Sequence, residues 1–272
     1  MYSLPSDDQV ECPSVQRRWL PTSTRGGLVA EALELAETTA CSYANSVLDE
    51  VFAGIEVLAD QAAALHARAS AENRKPTTTE LATIRSTVLA HLGGEHPKLA
   101  GTGVIAAPDS LADEPRWLEW WRTSADSDQP QQLTPDLDPN HVDGYVYTAA
   151  PWFETPRATG GRVIVGPYVD YAGTDEYILT FADPVHVGDR FVGVAAADIR
   201  TTDLEERLLP LLSDAGSQLL LVNAYGRIIA SNTPAAIVGC LVNQEQSSGE
   251  HVPIGTAWAD SCTGLPWSLI RK

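Results

Sequence analysis

The strongest pattern of hydrophobic and polar positions lies in the N-terminal third of the chain. No proline occurs from Leu28 to Ala71, and apolar residues recur at spacings of three and four between Ala44 and Leu65. This periodicity is typical of one face of an amphipathic helix. At about 1.5 Å per residue, a helix of this length measures roughly 60 Å. The sequence therefore predicts one long helix over residues 28–75, longer than a small domain is wide.

The rest of the chain shows the shorter patterns of strands. Apolar runs bounded by Gly, Pro and Asp predict strands over residues 102–107, 162–170, 177–187 and 190–199, with a tight turn at Gly188-Asp189. A hairpin over 218–230 and a last strand over 267–270 follow. We interpret 79–91 and 145–153 as short helices and 123–143 as a polar loop rich in proline.

These patterns divide the chain into four segments. Residues 1–27 are interpreted as an N-terminal tail or surface strap, 28–75 as the long helix, 76–200 as the main lobe and 201–272 as a smaller second lobe. Helices packed on an antiparallel sheet are typical of the α+β class. We therefore predict an α+β protein whose long N-terminal helix packs across an antiparallel β-sheet.

The charge of the chain excludes one class of partner. The 272 residues include 18 Lys and Arg against 36 Asp and Glu, a net charge of −18, which repels nucleic-acid phosphates. No apolar run approaches the roughly 20 residues that a membrane-spanning helix needs. The polar, acidic N-terminus lacks the features of a signal peptide. We therefore expect a cytoplasmic protein that has no membrane span and binds no nucleic acid.

The four cysteines are Cys12, Cys41, Cys240 and Cys262. They form no C-x-x-C pair, so neither a zinc ribbon nor a thioredoxin-type motif is indicated. We expect free, mostly buried thiols in a reducing compartment. A disulfide between Cys240 and Cys262 stays open as an alternative, in the case that their strands are neighbours.

Motifs for catalysis and metal binding are missing from the sequence. It lacks G-x-S-x-G, a Walker A loop and H-E-x-x-H. Asp136-x-Asp138-x-Asn140 matches the start of a calcium-binding loop, but His141 and Tyr147 occupy the positions of its turn glycine and bidentate glutamate. We therefore predict no catalytic residue, no metal and no cofactor.

One ordered set of motifs carries a family resemblance. Tyr145 and Pro151-Trp152-Phe153 precede the strand Gly166–Asp170, and a later strand ends in G-V-A-A-A-D-I at Ile199. In this order, after one long helix, the motifs resemble Cache sensor domains, which are PAS-like, and in particular the membrane-distal half of double Cache domains. The resemblance covers residues 28–232. It implies a PAS-like antiparallel sheet and a reduced second C-terminal lobe.

The resemblance also implies a ligand site. In double Cache domains that bind amino acids or amines, carboxylates and aromatic residues at these places hold the ligand amine; the matching residues here are Tyr145, Trp152, Phe153, Tyr168, Asp170 and Asp198. Two positions depart from that pattern. Ala150 replaces the arginine that grips the ligand carboxylate, and Phe153 replaces a tyrosine. The candidates to replace that arginine are Arg116, Arg122 and Arg157.

The residues support a cation site on physical grounds as well. An ammonium group favours carboxylate acceptors and aromatic faces that are shielded from water. Asp198 lies at the end of an almost wholly apolar strand, where an unpaired carboxylate is costly. The alternatives are an Asp198 bonded at a strand end, an Asp170 that forms a turn, and core packing for Trp152 and Phe153.

We therefore predict a small-molecule-binding sensor module that recognises an amine or amino-acid-like ligand and signals to an unidentified output protein. We predict a homodimer formed through the long helix, because its apolar stripe is longer than one small sheet can cover. A dimeric scaffold with a vestigial pocket is one alternative. An enzyme accessory that uses the same pocket is another, but it would need a nucleophile or metal beside Asp198. We predict that the chain is not an enzyme.

Overall fold

The computed structural model describes residues 26–94, 97–124, 127–142, 144–170, 176–213, 218–243 and 247–271. These residues fall into two compact units, each with its own sheet. The larger unit comprises residues 47–200 and 261–263, and the smaller unit takes its described residues from 1–46, 201–260 and 264–272.

The helices and strands are as follows. Helices α1–α5 span Gly26–Ala71, Thr78–Leu81, Arg85–Leu92, Pro151–Thr159 and Thr201–Ser213. Strands β1–β11 span Gly101–Ala106, Leu118–Ser124, Ser127–Gln132, Arg162–Val169, Tyr177–Val187, Arg190–Arg200, Leu219–Val222, Ile228–Ser231, Glu250–Ile254, Cys262–Thr263 and Trp267–Arg271. Short 3-10 turns lie at Ala82–Ile84, Tyr147–Ala149 and Thr256–Trp258.

The long helix is confirmed. It ends at Ala71, a few residues before the predicted end, because Asn73 adopts the left-handed conformation with φ 55° and stops the helical hydrogen bonding. Along the larger unit its apolar stripe is buried from Val47 to Leu58. The ring of Phe52 packs edge-on against Phe181 with the centroids 5.6 Å apart, which fixes α1 on one face of the sheet.

The sheet of the larger unit has seven strands in the order β10-β4-β5-β6-β1-β2-β3. Its pairs are antiparallel except for β10, which runs parallel to β4. The predicted α+β fold with an antiparallel sheet is therefore confirmed. The opposite face of this sheet is covered by α4 and the segment before it, where Trp152, Phe153 and Tyr147 join the core.

Two predicted elements were wrong. The segment interpreted as a polar loop contains β3, an edge strand whose Ser-Asp-Gln-Pro-Gln-Gln sequence carries no apolar alternation because it is paired only with β2. The helix predicted over 145–153 instead starts at Pro151, a favoured first residue of a helix. Tyr145 lies before it, outside regular structure.

The smaller unit has a four-stranded antiparallel sheet in the order β8-β7-β11-β9, as expected for a reduced second lobe. Leu220, Val222 and Ile270 belong to its core. Arg271 on β11 forms ion pairs with Glu37 of α1, at 3.2 Å, and with Glu250 of β9. These pairs tie the start of the long helix to the sheet of its own unit.

The cysteines differ from the expectation. Cys240, in the smaller unit, is disulfide-bonded, whereas Cys41 and Cys262 are free thiols. The free-thiol prediction is therefore wrong for Cys240. Cys240 and Cys262 do not pair, because Cys262 lies on β10 beside β4 in the larger sheet. The partner of Cys240 lies outside the described residues.

Among the helices in the described ranges, none is long and apolar enough to cross a lipid bilayer.

Candidate functional site

A cavity lies in the larger unit, on the face of the sheet that is opposite α1. The space between its lining residues measures about 330 Å³ and includes some open solvent. The described residues that line it are Ile105, Leu118, Trp120, Leu133, Tyr145, Trp152, Tyr168, Asp170, Thr180, Ala196 and Asp198. Aromatic rings and two carboxylates thus line one partly open cavity.

Most of the residues inferred from the family resemblance meet at this cavity. Tyr145, Trp152, Tyr168, Asp170 and Asp198 line it. Phe153 does not line it. Its fully buried ring packs edge-on against Tyr147 at 5.1 Å and Phe191 at 5.4 Å between centroids. Phe153 therefore belongs to the core, the alternative that the sequence left open.

The central strands place polar groups in the cavity by simple alternation. Side chains two residues apart share one face of a strand, so Ala196 and Asp198 of β6 both face the cavity. On the neighbouring strand β5, Thr180 is the direct cross-strand partner of Asp198. Strand β6 continues to Arg200, so Asp198 lies inside the strand and is only 5% exposed.

An irregularity in β4 brings two further residues into the site. Between Val165 and Tyr168, β4 advances three residues while β5 advances two, which is a β-bulge. One extra residue reverses the alternation of side chains after the bulge. Tyr168 and Asp170 therefore lie on the same face of the strand as Val165, and both line the cavity. Gly166, with φ 115°, occupies the bulge.

Trp120 forms a wall of the cavity that the sequence analysis missed. It lies on β2 and is 5% exposed. Its indole lies directly over Gly101 of β1, where an added Cβ would approach Nε1 to 2.7 Å. The cross-strand pairing of β1 with β2 creates this arrangement, and nothing in the local sequence distinguishes Trp120 from a core tryptophan.

A chain of hydrogen bonds connects the aromatic and acidic sides of the cavity. The hydroxyl of Thr180 donates to Asp198 Oδ1 at 2.7 Å, and Tyr168 OH lies 2.8 Å from Thr180 Oγ1. A threonine hydroxyl has one proton, so Tyr168 donates to Thr180 when Thr180 donates to Asp198. Thr180 was also missed, because its role depends on the register of β5 with β6.

The electrostatic environment disfavours a charged Asp198 in the empty cavity. Burial, and then the nearby Asp170, raise the pKa of Asp198 well above its ordinary value, although Thr180 opposes this shift. Arg200 and Glu176 also lie near enough to act on Asp198, but they form an ion pair with each other at 2.9 Å. Their charges therefore largely cancel at the carboxylate.

The two tyrosines respond to the same charges. Burial raises the pKa of Tyr145 far above its ordinary value, with Asp170 the next cause. Burial and then Asp198 do the same to the pKa of Tyr168. Both phenols therefore remain protonated hydrogen-bond donors at neutral pH.

No arginine, lysine or histidine is found among the described residues that line the cavity. Ala150 precedes α4 at its N-cap. Of the arginines considered as replacements, Arg157 forms a 2.6 Å ion pair with Glu154, and Arg116 and Arg122 are not part of the lining. The described lining thus contains two carboxylic acid side chains and no basic side chain.

A metal site is not apparent in the described part of the chain, where no group of three or more His, Cys, Asp or Glu is arranged to hold an ion. In the segment that begins like a calcium loop, Asp136 and Asp138 accept hydrogen bonds from the backbone of the loop itself. His141 Nδ1 lies 2.5 Å from Asp136 Oδ2, so each oxygen of that carboxylate has a hydrogen-bond partner within the loop.

No protein-family model matches the chain. Among curated proteins, the chain is similar to the methyl-accepting chemotaxis protein PscA of Pseudomonas syringae pv. tomato, with 28% identity over 90 residues. The match covers 33% of this chain and 14% of the relative, so it concerns a small part of that protein's length.

Solved structures show a more extensive similarity. A structure titled methyl-accepting chemotaxis protein X matches with a TM-score of 0.63 and 17% identity, over 89% of this chain and 98% of the other. The ligand-binding domain of the amino-acid chemoreceptor PctC of Pseudomonas aeruginosa PAO1, in complex with GABA, matches with a TM-score of 0.56 and 20% identity, over 87% and 97% of the two chains.

These matches identify the fold as that of chemoreceptor ligand-binding domains. The resemblance to Cache sensor domains is therefore confirmed at the level of the fold. The titles of these neighbours name a chemotaxis protein and a chemoreceptor ligand-binding domain, which agrees with the fold predicted from the sequence.

Proposed function

We propose that this protein is a sensor module whose cavity binds a small organic cation, with a primary amine as its recognised group. One observation carries the proposal. Asp198 is buried in a cavity that also contains Asp170, and no cationic side chain is among the described lining residues. A bound ammonium group would place a positive charge beside Asp198 and donate hydrogen bonds to its carboxylate.

The aromatic residues support the same ligand class. Tyr145, Trp120 and Trp152 line the cavity around the two carboxylates. The faces of such rings attract cations, most strongly where water is excluded. An amine with a short apolar body would therefore match both the charged and the aromatic parts of the cavity.

The balance of charge separates ligands within this class. An α-amino acid carries a carboxylate, and the described lining offers it no arginine or lysine. We therefore expect primary amines to bind more tightly than the matching α-amino acids, and dicarboxylates not to bind. The PctC domain, whose complex contains GABA, shows that this fold can hold a ligand with an amino group; binding by the present chain rests on its own residues.

Isothermal titration calorimetry with a series of primary amines tests the proposal. Asp198→Ala should weaken amine binding by roughly 2–5 kcal/mol, the usual loss when one partner of a buried charge pair is removed. As a control, Asp189→Asn removes an exposed carboxylate in the β5–β6 turn, about 30 Å along β6 from Asp198. It should bind like the parent. Equal binding by Asp198→Ala, or binding of acidic ligands only, would contradict the proposal.

We further propose that the module works in an oxidising compartment, and not in the cytoplasm expected from its N-terminus. The disulfide at Cys240 supports this, because disulfides persist in oxidising compartments and are rare in the reducing cytosol. Mass spectrometry after alkylation of the denatured, unreduced protein should find Cys240 unmodified and Cys41 modified. Full alkylation of Cys240 in protein purified without reductant would argue for the cytoplasm.

A further inference from the structure

We infer that Thr180 is a positioning residue that makes the cavity select organic cations by the number of their N–H groups. The inference deepens the proposed function and rests on it, because it states which cations the site accepts. A primary ammonium group has three N–H donors, whereas a quaternary ammonium group has none. Both carry the same charge, so a preference between them has to come from hydrogen bonding.

Three adjacent strands place Thr180 between a phenol and a carboxylate. Thr180 on β5 is the direct cross-strand partner of Asp198 on β6, and Tyr168 on β4 pairs with Ile178, two residues before Thr180. The Thr180 hydroxyl lies 2.7 Å from Asp198 Oδ1 and 2.8 Å from Tyr168 Oη. Thr180 is only 3% exposed and Asp198 only 5%, so water has little access to these hydrogen bonds.

A bound cation fixes the direction of both hydrogen bonds. A positive charge beside Asp198 favours the ionised carboxylate, which only accepts hydrogen bonds. Thr180 therefore donates its one proton to Asp198 and accepts the proton of Tyr168. Burial raises the pKa of Tyr168 far above its ordinary value, so the phenol keeps that proton at neutral pH. With its proton directed to Thr180, Tyr168 Oη offers the cavity only lone pairs.

Two hydrogen-bond acceptors therefore lie close together in the cavity wall, the Asp198 carboxylate and Tyr168 Oη. A cation with two or more N–H groups can donate to both of them at once. A cation with one N–H group leaves one acceptor without a partner, and a quaternary ammonium group leaves both, which costs binding free energy. The aromatic rings attract all of these cations, so the rings add affinity without this selectivity.

Stepwise N-methylation of one amine tests the selection on the parent protein. Butylamine and its N-methyl, N,N-dimethyl and N,N,N-trimethyl derivatives are all cations at neutral pH, and they carry three, two, one and no N–H groups. In isothermal titration calorimetry the first two should bind with similar affinity. Each further methyl group should lower the affinity about tenfold or more, the usual effect of losing a hydrogen bond to a buried acceptor. Equal affinities across the series would overturn the inference.

Thr180→Val separates positioning from a merely structural role. Without the Thr180 hydroxyl, Tyr168 can turn its proton toward the cavity, where it competes with the ammonium N–H groups. The ratio of butylamine affinity to trimethylbutylammonium affinity should therefore fall about tenfold, and Thr180→Ser should restore it. Tyr168→Phe keeps the ring and should lower the same ratio, so it provides a second test that leaves Thr180 in place. Asp189→Asn should match the parent for all four cations.

The inference and the proposed function fail in different ways. Asp198→Ala should weaken butylamine binding whether or not Thr180 selects among cations. If it does so while Thr180→Val lowers the affinities of all four cations by the same factor, Thr180 only supports the fold; the selection is then wrong and the proposed function stands. If none of the four cations binds the parent protein, the proposed function is refuted, and the inference with it.

Discussion

Thr180 is the residue on which the polar side of the cavity depends. Its hydroxyl links Tyr168 to Asp198 across three adjacent strands, and all three side chains lie on the cavity face of the sheet. Without that hydroxyl, Asp198 would lose the hydrogen-bond donor on its cross-strand neighbour. A buried polar group left without its partner costs stability.

Thr180→Val therefore provides a test at the level of one atom. Valine has nearly the same shape but no hydroxyl, so the free energy of unfolding should fall by about 1–3 kcal/mol. Thr180→Ser keeps the hydroxyl and should lose less. Urea unfolding of the three proteins measures the difference, and a Thr180→Val protein as stable as the parent would show that the hydrogen bonds contribute nothing.

The chemistry of individual site residues could be predicted in part from the sequence. Asp198 could be recognised because an unpaired carboxylate at the end of an apolar strand is energetically costly. Tyr168 and Asp170 could be assigned to the site from the order of the motifs. Thr180 and Trp120 could not be found in this way, because their positions depend on strand register. Phe153, next to Trp152 in sequence, packs away from the cavity.

At the level of elements, the bulge in β4 decides what the cavity contains. Gly166 lies at this bulge with φ 115°, and an added Cβ would lie 2.7 Å from the carbonyl oxygen of Ile178. That approach is too close for any side chain. The bulge in turn directs Tyr168 and Asp170 toward the cavity.

Gly166→Ala should therefore reduce both stability and amine binding. Gly188→Ala is a matched control, since Gly188 also has positive φ, 58°, but nothing lies within 4 Å of its added Cβ. The control should lose only the stability that a strained backbone at a non-glycine residue costs, about 1–2 kcal/mol. Gly166→Ala should lose more in thermal or urea unfolding, and equal losses would show that the bulge tolerates a side chain.

The lowered pKa values of two histidines on helices that pack against the sheet lead us to expect a loss of stability in acid. Burial lowers the pKa of His66 on α1, and of His91 on α3, to about 4. His91 Nδ1 lies 3.2 Å from Thr102 Oγ1, whose own proton goes to the carbonyl of Ala196. The neutral ring therefore donates to Thr102.

The direction of this pH dependence follows from the lowered pKa values. In the unfolded chain a histidine is protonated near its ordinary pKa, about 6.5. In the folded protein the pKa of both histidines is about 4, so they are protonated only near that pH. Their contribution is complete above pH 6.5 and is lost as the pH falls toward 4. Urea unfolding at several pH values should show this slope, and His91→Gln should make it shallower. An unchanged slope in the variant would contradict the assignment.

The elements differ in how far the sequence predicted them. The long helix and strands β4 to β6 follow from clear periodicity over many residues. Strand β3 could not be predicted, because its polar residues pair with only one neighbour. The two-residue strand β10 is defined by its pairing with β4. No pattern in its own sequence indicates that pairing.

At the scale of the whole molecule, self-association through α1 stays a prediction. The helix exposes apolar side chains on its outer surface, with Leu35 69% and Val57 47% exposed. Light scattering at micromolar concentration should give twice the monomer mass. Substituting both residues with serine should shift the mass toward the monomer, whereas Val142→Ser, which replaces an equally apolar side chain that is 90% exposed outside the helix, should not. A monomeric parent would exclude the dimer.

The most direct test of the central claim is a crystal structure of the protein with a bound primary amine. The account predicts that the amine nitrogen lies within hydrogen-bond distance of the Asp198 carboxylate, with Asp170 nearby and the apolar body of the ligand against Trp120, Trp152 and Tyr145. An amine bound outside this cavity, or bound inside it with its nitrogen directed away from both carboxylates, would contradict the account.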